Sequence, residues 1–170
     1  MPFIRIVALS IAAAVLSRSA HNLVTAHWCV EYFTVGHPAW HTTSPLLPAL
    51  AWGVMATWWV GLMLGIVLAC AARLGPWPGL TARQLVGPVC VVLLSAGLAD
   101  TLFGWRGTVK AGDGSARLPP RLAVALPPAR HAPFVGAWFA HTAGEAVAVL
   151  GGFTIGLWAL RKRRALAQNY

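Results

Sequence analysis

Charged residues are scarce in this chain of 170 residues, of which they make up 10%, and only four are acidic. Soluble domains usually carry about 25% charged residues, so this chain cannot cover an ordinary water-facing surface. Hydrophobic residues instead make up 58% of the sequence. The composition therefore predicts an integral membrane protein.

Cysteine is also scarce, and most catalytic signatures are missing. The three cysteines, Cys29, Cys70 and Cys90, form no CxxC pair, which argues against a disulfide framework or a thiolate zinc site. The sequence has no P-loop, no dinucleotide fingerprint, no HExxH motif and no Ser/His/Asp arrangement. We therefore expect a protein that is not an enzyme.

The net charge of +9 does not indicate nucleic-acid binding, because no basic patch is interleaved with aromatic residues. The basic residues fall in loops and at the ends of apolar runs. Arg and Lys commonly flank membrane spans there and meet anionic headgroups. The lipid bilayer is the predicted partner.

Four apolar runs are each long enough to cross a bilayer, which takes roughly 20 residues per helix. The predicted spans are about 3–26, 46–73, 84–105 and 134–160. They use most of the chain and leave no room for a soluble catalytic domain. The predicted fold is one all-α transmembrane domain, 1–170, a four-helix bundle with a polar outer loop between helices 3 and 4.

The first apolar run has a second interpretation. Phe3 to Leu16 also suits the hydrophobic region of a signal peptide, with Arg5 before it. Cleavage after Ala20 would place Arg18 where a small residue is required. We therefore predict a retained helix.

Orientation is predicted from the basic cluster Arg161-Lys162-Arg163-Arg164, which follows the last span. Such clusters stay in the cytoplasm, and an even number of spans then places both termini there. With this cluster counted, the 13 basic residues are almost evenly divided, seven on the inner side and six on the outer side. The prediction therefore rests on this cluster.

Two spans carry small residues at intervals of four. Small side chains let helices approach closely, and such packing drives helix association in lipid. The ladders predict tight contacts, either within the bundle or with another subunit. Their glycines are Gly53, Gly61 and Gly65 on the second span, and Gly136, Gly144, Gly152 and Gly156 on the fourth.

Four ionisable residues, Arg18, Asp100, His141 and Glu145, fall within the spans. Each would cost at least about 2.5 kcal/mol if left unpaired at the bilayer centre. We expect them to meet in the outer half of the bundle. Glu145 would pair with His141 or Arg18, and Asp100 with Arg18 or Arg106. The cluster would be a structural lock or a functional centre for protons, an ion or a small ligand.

Imidazole and carboxylate groups could also bind metals or a cofactor. The segment after the first span supplies His27, Glu31, His37 and His41 as candidate metal ligands, without a recognised spacing. His141 is the candidate axial ligand for a bound cofactor, because it lies at membrane depth. The sequence identifies neither the metal nor the cofactor.

Two segments resemble small uncharacterised bacterial multi-pass membrane proteins. Cys29 to Pro38 reads CVEYFTVGHP, and Trp52 to Gly61 reads WGVMATWWVG. The resemblance implies a bacterial cytoplasmic (inner) membrane location and a role for the first segment beyond that of a linker. It implies no activity.

Two functional hypotheses follow. In the first, the protein is a non-catalytic packing or accessory subunit that binds other membrane protein subunits through its small-residue ladders. In the alternative, it binds a metal, cofactor or ligand through the His and Glu residues of the outer half. A membrane enzyme would need the same residues in acid–base roles.

Overall fold

The structure is a computed structural model that describes residues 1–37 and 44–168, and within them it contains helices but no strand. An all-α fold is thereby confirmed. The predicted metal ligand His41 lies outside the described residues. The helices are α1 (Pro2–Trp28), α2 (Glu31–Thr34), α3 (Leu46–Met55), α4 (Trp58–Arg73), α5 (Ala82–Gly112), α6 (Pro120–Ala125) and α7 (His131–Gln168), with a 3₁₀ turn at Pro128–Arg130.

Four helical segments are long and apolar enough to cross a membrane: Pro2–Trp28, Leu46–Arg73, Ala82–Gly112 and Pro128–Gln168. The last two extend beyond the predicted spans. Hydropathy marks only the part of a helix suited to hydrocarbon, whereas packing continues into the polar ends. Gly107, for example, still lies against Phe139 of α7.

The second span is interrupted at Ala56 and Thr57, between α3 and α4. The Thr57 hydroxyl donates to the Gly53 carbonyl, which a regular helix would offer to the Thr57 amide. That amide donates instead to Val54 O at 3.2 Å, one residue nearer along the chain. The side chain thus competes with the helical hydrogen bond and tightens the backbone locally.

The long helices form two antiparallel hairpins, α1 with α3 and α4, and α5 with α7. The hairpins meet where α4 contacts α7 and where α1 contacts α5. One apolar core, around Ile6, Leu68 and Leu85, closes one end of the bundle. Two smaller clusters, around Phe33 and Phe134, close the other end.

The glycine ladders pack mostly inside the chain. Gly53, Gly61 and Gly65 lie against α1. On α7, Gly136 and Gly144 lie against α5, and Gly152 lies against Leu64 of α4, whereas Gly156 has open space beside it. The ladders predicted contacts either within the bundle or with another subunit, and the structure shows contacts within the bundle.

Arg163 is fully buried, although the sequence groups it with a basic surface cluster. Its guanidinium donates to Ala71 O and Leu74 O at 2.7 Å each. It also donates to Trp77 O at 2.7 Å and Pro78 O at 2.9 Å. The last carbonyls of a helix lack helical partners and carry partial negative charge, so Arg163 caps α4 and holds the following turn.

We expect Arg163→Met to destabilise the protein by about 3 kcal/mol, because it leaves several buried carbonyls without a donor. The matched change at the exposed neighbour Arg164 should cost no more than about 0.5 kcal/mol. Thermal unfolding of both variants in detergent measures the difference. Equal unfolding temperatures would show that the cap contributes nothing.

The α1–α4 contact should be sensitive to the addition of a single methyl group. A Cβ atom at Gly61 would lie 2.8 Å from the Ile11 Cα atom, whereas one at Gly156 would meet nothing within 4 Å. Gly61→Ala should therefore lower the unfolding temperature. Gly156→Ala should raise it slightly, because alanine favours a helix by roughly 0.5–1 kcal/mol over glycine. The opposite order would contradict this packing.

Candidate functional site

A polar cluster lies between the hairpins, next to the apolar end around Phe33, whose ring centroid is 6.0 Å from that of His141. Arg18 Nη2 on α1 lies 3.1 Å from Glu145 Oε1 on α7. Arg18 Nη1 lies 3.2 Å from His141 Nδ1, one turn earlier on α7. The structure thus brings together three of the four ionisable residues that the sequence places in the spans.

Hydrogen-bond contacts continue from His141 across the bundle. Thr25 Oγ1 lies 3.3 Å from both His141 Nε2 and His21 Nε2. His21 Nδ1 then lies 2.9 Å from Asp100 Oδ2 on α5. A single chain of contacts therefore joins α7 to α1 and α1 to α5.

Arg18 fixes which group donates and which accepts in this series of contacts, because a guanidinium only donates. His141 Nδ1 must accept, which leaves Nε2–H to donate to the Thr25 hydroxyl oxygen. The one Thr25 hydrogen can then go to His21 Nε2, and His21 Nδ1–H donates to Asp100. With one proton on each ring, both imidazole N–H groups and the Thr25 hydroxyl face an acceptor, and each ring is held in one tautomer.

Asp100 has a different partner from those predicted. The sequence assigns it to Arg18 or Arg106, whereas the structure pairs it with His21. His21 and Thr25 were missed as members of the cluster. Their signal was present in the sequence, because residues three and four apart share a helix face and the spacing from Arg18 to His21 to Thr25 follows that rule.

Tyr32, from the segment that carries the bacterial resemblance, covers the cluster. Its ring stacks on the His141 imidazole with centroids 4.4 Å apart. Burial, together with the nearby Glu145 charge, raises the pKa of Tyr32 to about 12. The side chain is therefore a neutral aromatic cover at physiological pH.

Below the cluster lies a cavity of about 370 Å³. Arg18, His21, Asp100 and Glu145 line one part of it, and apolar side chains such as Leu64, Val92 and Ile155 line most of the rest. All four long helical segments contribute. The cavity thus offers a polar end and an apolar body.

The exposed lining residues show where the cavity opens. They are Ala56, Trp59, Glu145 and Val149. Because they belong to α7 and to the start of α4 with the break before it, the opening lies between these two helices. It faces the side of the bundle rather than one of its ends.

Glu31 is bound to Arg130, just before α7, in a bidentate ion pair. The two contacts are 2.8 Å from Nε to Oε1 and 2.7 Å from Nη2 to Oε2. Burial alone would raise the pKa of Glu31, but the Arg130 hydrogen bonds outweigh it and lower the pKa. Burial and the nearby Glu31 charge raise the pKa of Cys29 to about 11, so this thiol stays protonated.

The remaining candidate ligands do not meet in one place. His27 bonds Leu23 O at 2.8 Å, and His37 bonds Tyr32 O at 2.8 Å. Within residues 1–37 and 44–168, no three His, Cys, Asp or Glu side chains are grouped to hold a metal ion. Both ring nitrogens of His141 contact protein groups, Arg18 and Thr25. A cofactor metal would have to displace one of them.

Comparison of the chain with protein-family models, curated proteins and solved structures finds no match.

The central position of Thr25 can be tested by removing its hydroxyl while keeping its shape. Thr25→Val leaves His141 Nε2 and His21 Nε2 without their partner, which should cost about 1–3 kcal/mol. The control is Thr101→Val, because Thr101 is exposed and bonds only its own helix in the described part of the chain. Thermal unfolding in detergent should separate the two variants. An unchanged Thr25→Val protein would mean that the contacts do not stabilise the bundle.

Proposed function

We propose that this protein is a multi-pass membrane protein that binds a small amphipathic molecule from the bilayer. The site is the cavity between the hairpins, with the polar cluster holding the head of the ligand. The observation that carries the proposal is the cavity itself, because ligand sites are usually largely apolar with a few converging polar groups. No catalytic step is part of the proposal.

The opening supports entry from the bilayer. Trp59 and Val149 border it, and both are exposed on the side of the bundle. In a membrane-spanning bundle this side faces lipid. A molecule dissolved in the bilayer would reach the cavity without crossing water.

The interrupted helix supports a binding role as well. Irregular backbone at membrane depth is tolerated where it is buried in protein or lines a cavity. Both residues of the break, Ala56 and Thr57, line this cavity. In membrane transporters, broken helices commonly form the binding sites.

The accessory-subunit hypothesis loses part of its support, because six of the seven ladder glycines pack within the chain. It remains a prediction. We also propose that the protein lies in a bacterial inner membrane and that both of its termini are cytoplasmic. The basic residues Arg161, Lys162 and Arg164 support that orientation.

The test compares the small molecules retained by purified variants. Ala148 lines the cavity, so Ala148→Phe should fill it, whereas Leu98→Phe changes an exposed residue away from it. Mass spectrometry of organic extracts should find an amphipathic molecule near one per protein in the wild type and in Leu98→Phe. Ala148→Phe should reduce it at least tenfold. Equal retention by the three folded proteins would refute the proposal.

A further inference from the structure

Arg18 and Glu145 form an ion pair whose two partners differ sharply in exposure. The Arg18 side chain is 11% exposed, whereas the Glu145 side chain is 62% exposed. The arginine therefore lies inside the cavity and the carboxylate at its opening. A ligand head entering between α4 and α7 would meet both groups.

Glu145 is far from both ends of its helix. At 1.5 Å per residue it lies about 21 Å from His131, where α7 begins, and about 24 Å from Arg161, where the basic cluster near the other end begins. A carboxylate exposed to hydrocarbon at such a position is costly unless a polar group covers it. Arg18 contacts Oε1, and the exposed carboxylate retains acceptor capacity for a second donor.

The charges around the opening define the kind of head group that fits. At the opening, Arg18 and Glu145 compensate each other. Farther inside, Asp100 Oδ2 accepts from His21, and Asp100 Oδ1 is buried against Gly144 with no hydrogen-bond partner among the described residues. A carboxylate head would be attracted by Arg18 but repelled by Glu145. An ammonium head would be attracted by Glu145 but repelled by Arg18. Either charged head would lie beside a group of its own sign, and taking its charge out of water is expensive.

From this geometry, and resting on the proposed function, we infer that the ligand carries a neutral hydroxyl as its head group. The hydroxyl hydrogen would be donated to the Glu145 carboxylate. Its oxygen would accept from one of the five N–H bonds of the Arg18 guanidinium. The ligand class is an amphipathic alcohol or phenol whose apolar part fills the cavity below.

Matched probes test the head group without knowledge of the natural ligand. 4-Octylphenol carries the hydroxyl, and 4-octylanisole keeps the oxygen but lacks the donor hydrogen. 4-Octylbenzoate and 4-octylbenzylammonium carry the two opposite charges. Binding to the purified full chain in lipid nanodiscs is measured by isothermal titration, with empty nanodiscs subtracted.

We expect the phenol to bind at least tenfold more tightly than the anisole, the benzoate and the benzylammonium. Tightest binding of the benzoate or of the benzylammonium would overturn the inference, as would equal binding of phenol and anisole. If Ala148→Phe abolishes binding of every probe, the cavity is the site. If it changes none of them, the proposed function itself fails.

A double variant removes both polar partners at once. Arg18→Met with Glu145→Leu replaces the ion pair by apolar side chains of similar volume, so neither charge is left without its partner. A cooperative thermal transition in detergent establishes first that this variant is folded. The preference for phenol over anisole should then disappear, while binding of the anisole should persist. A preference that survives in this variant would overturn the inference.

Discussion

The organisation of the bundle depends on the partners of the Arg18 guanidinium. A charged group placed between apolar helices is stable only when acceptors surround it. Arg18 finds them in Glu145 and His141, both on α7. Since it can only donate, it also sets the tautomer of His141 and, through Thr25, that of His21. The series of contacts that begins at Arg18 thereby connects α7, α1 and α5.

Glycine makes that arrangement sterically possible. A Cβ atom at Gly144 would overlap the Asp100 carboxylate, so only the smallest residue lets α5 and α7 approach with that carboxylate between them. The small-residue ladder and the polar cluster are therefore parts of one interface. Close packing brings the polar groups within hydrogen-bond distance, and their contacts in turn hold the helices in register.

Two arginines inside the bundle serve different purposes. Arg163 contacts four backbone carbonyls, so its donors are occupied and its role is to close one end of the bundle. Arg18 contacts side chains on the wall of a cavity and retains donor capacity. The same residue type thus stabilises a turn at one depth and offers a ligand contact at another.

The sequence by itself determined the helical fold, the four apolar segments and the meeting of Arg18, His141 and Glu145. Hydropathy, helical spacing and the cost of unpaired charge are local properties that one chain displays. Only the tertiary structure decided the pairing of Asp100 with His21, the burial of Arg163 and the cavity with its lateral opening. These depend on how the helices are rotated and how far apart the hairpins lie, which packing between distant segments sets.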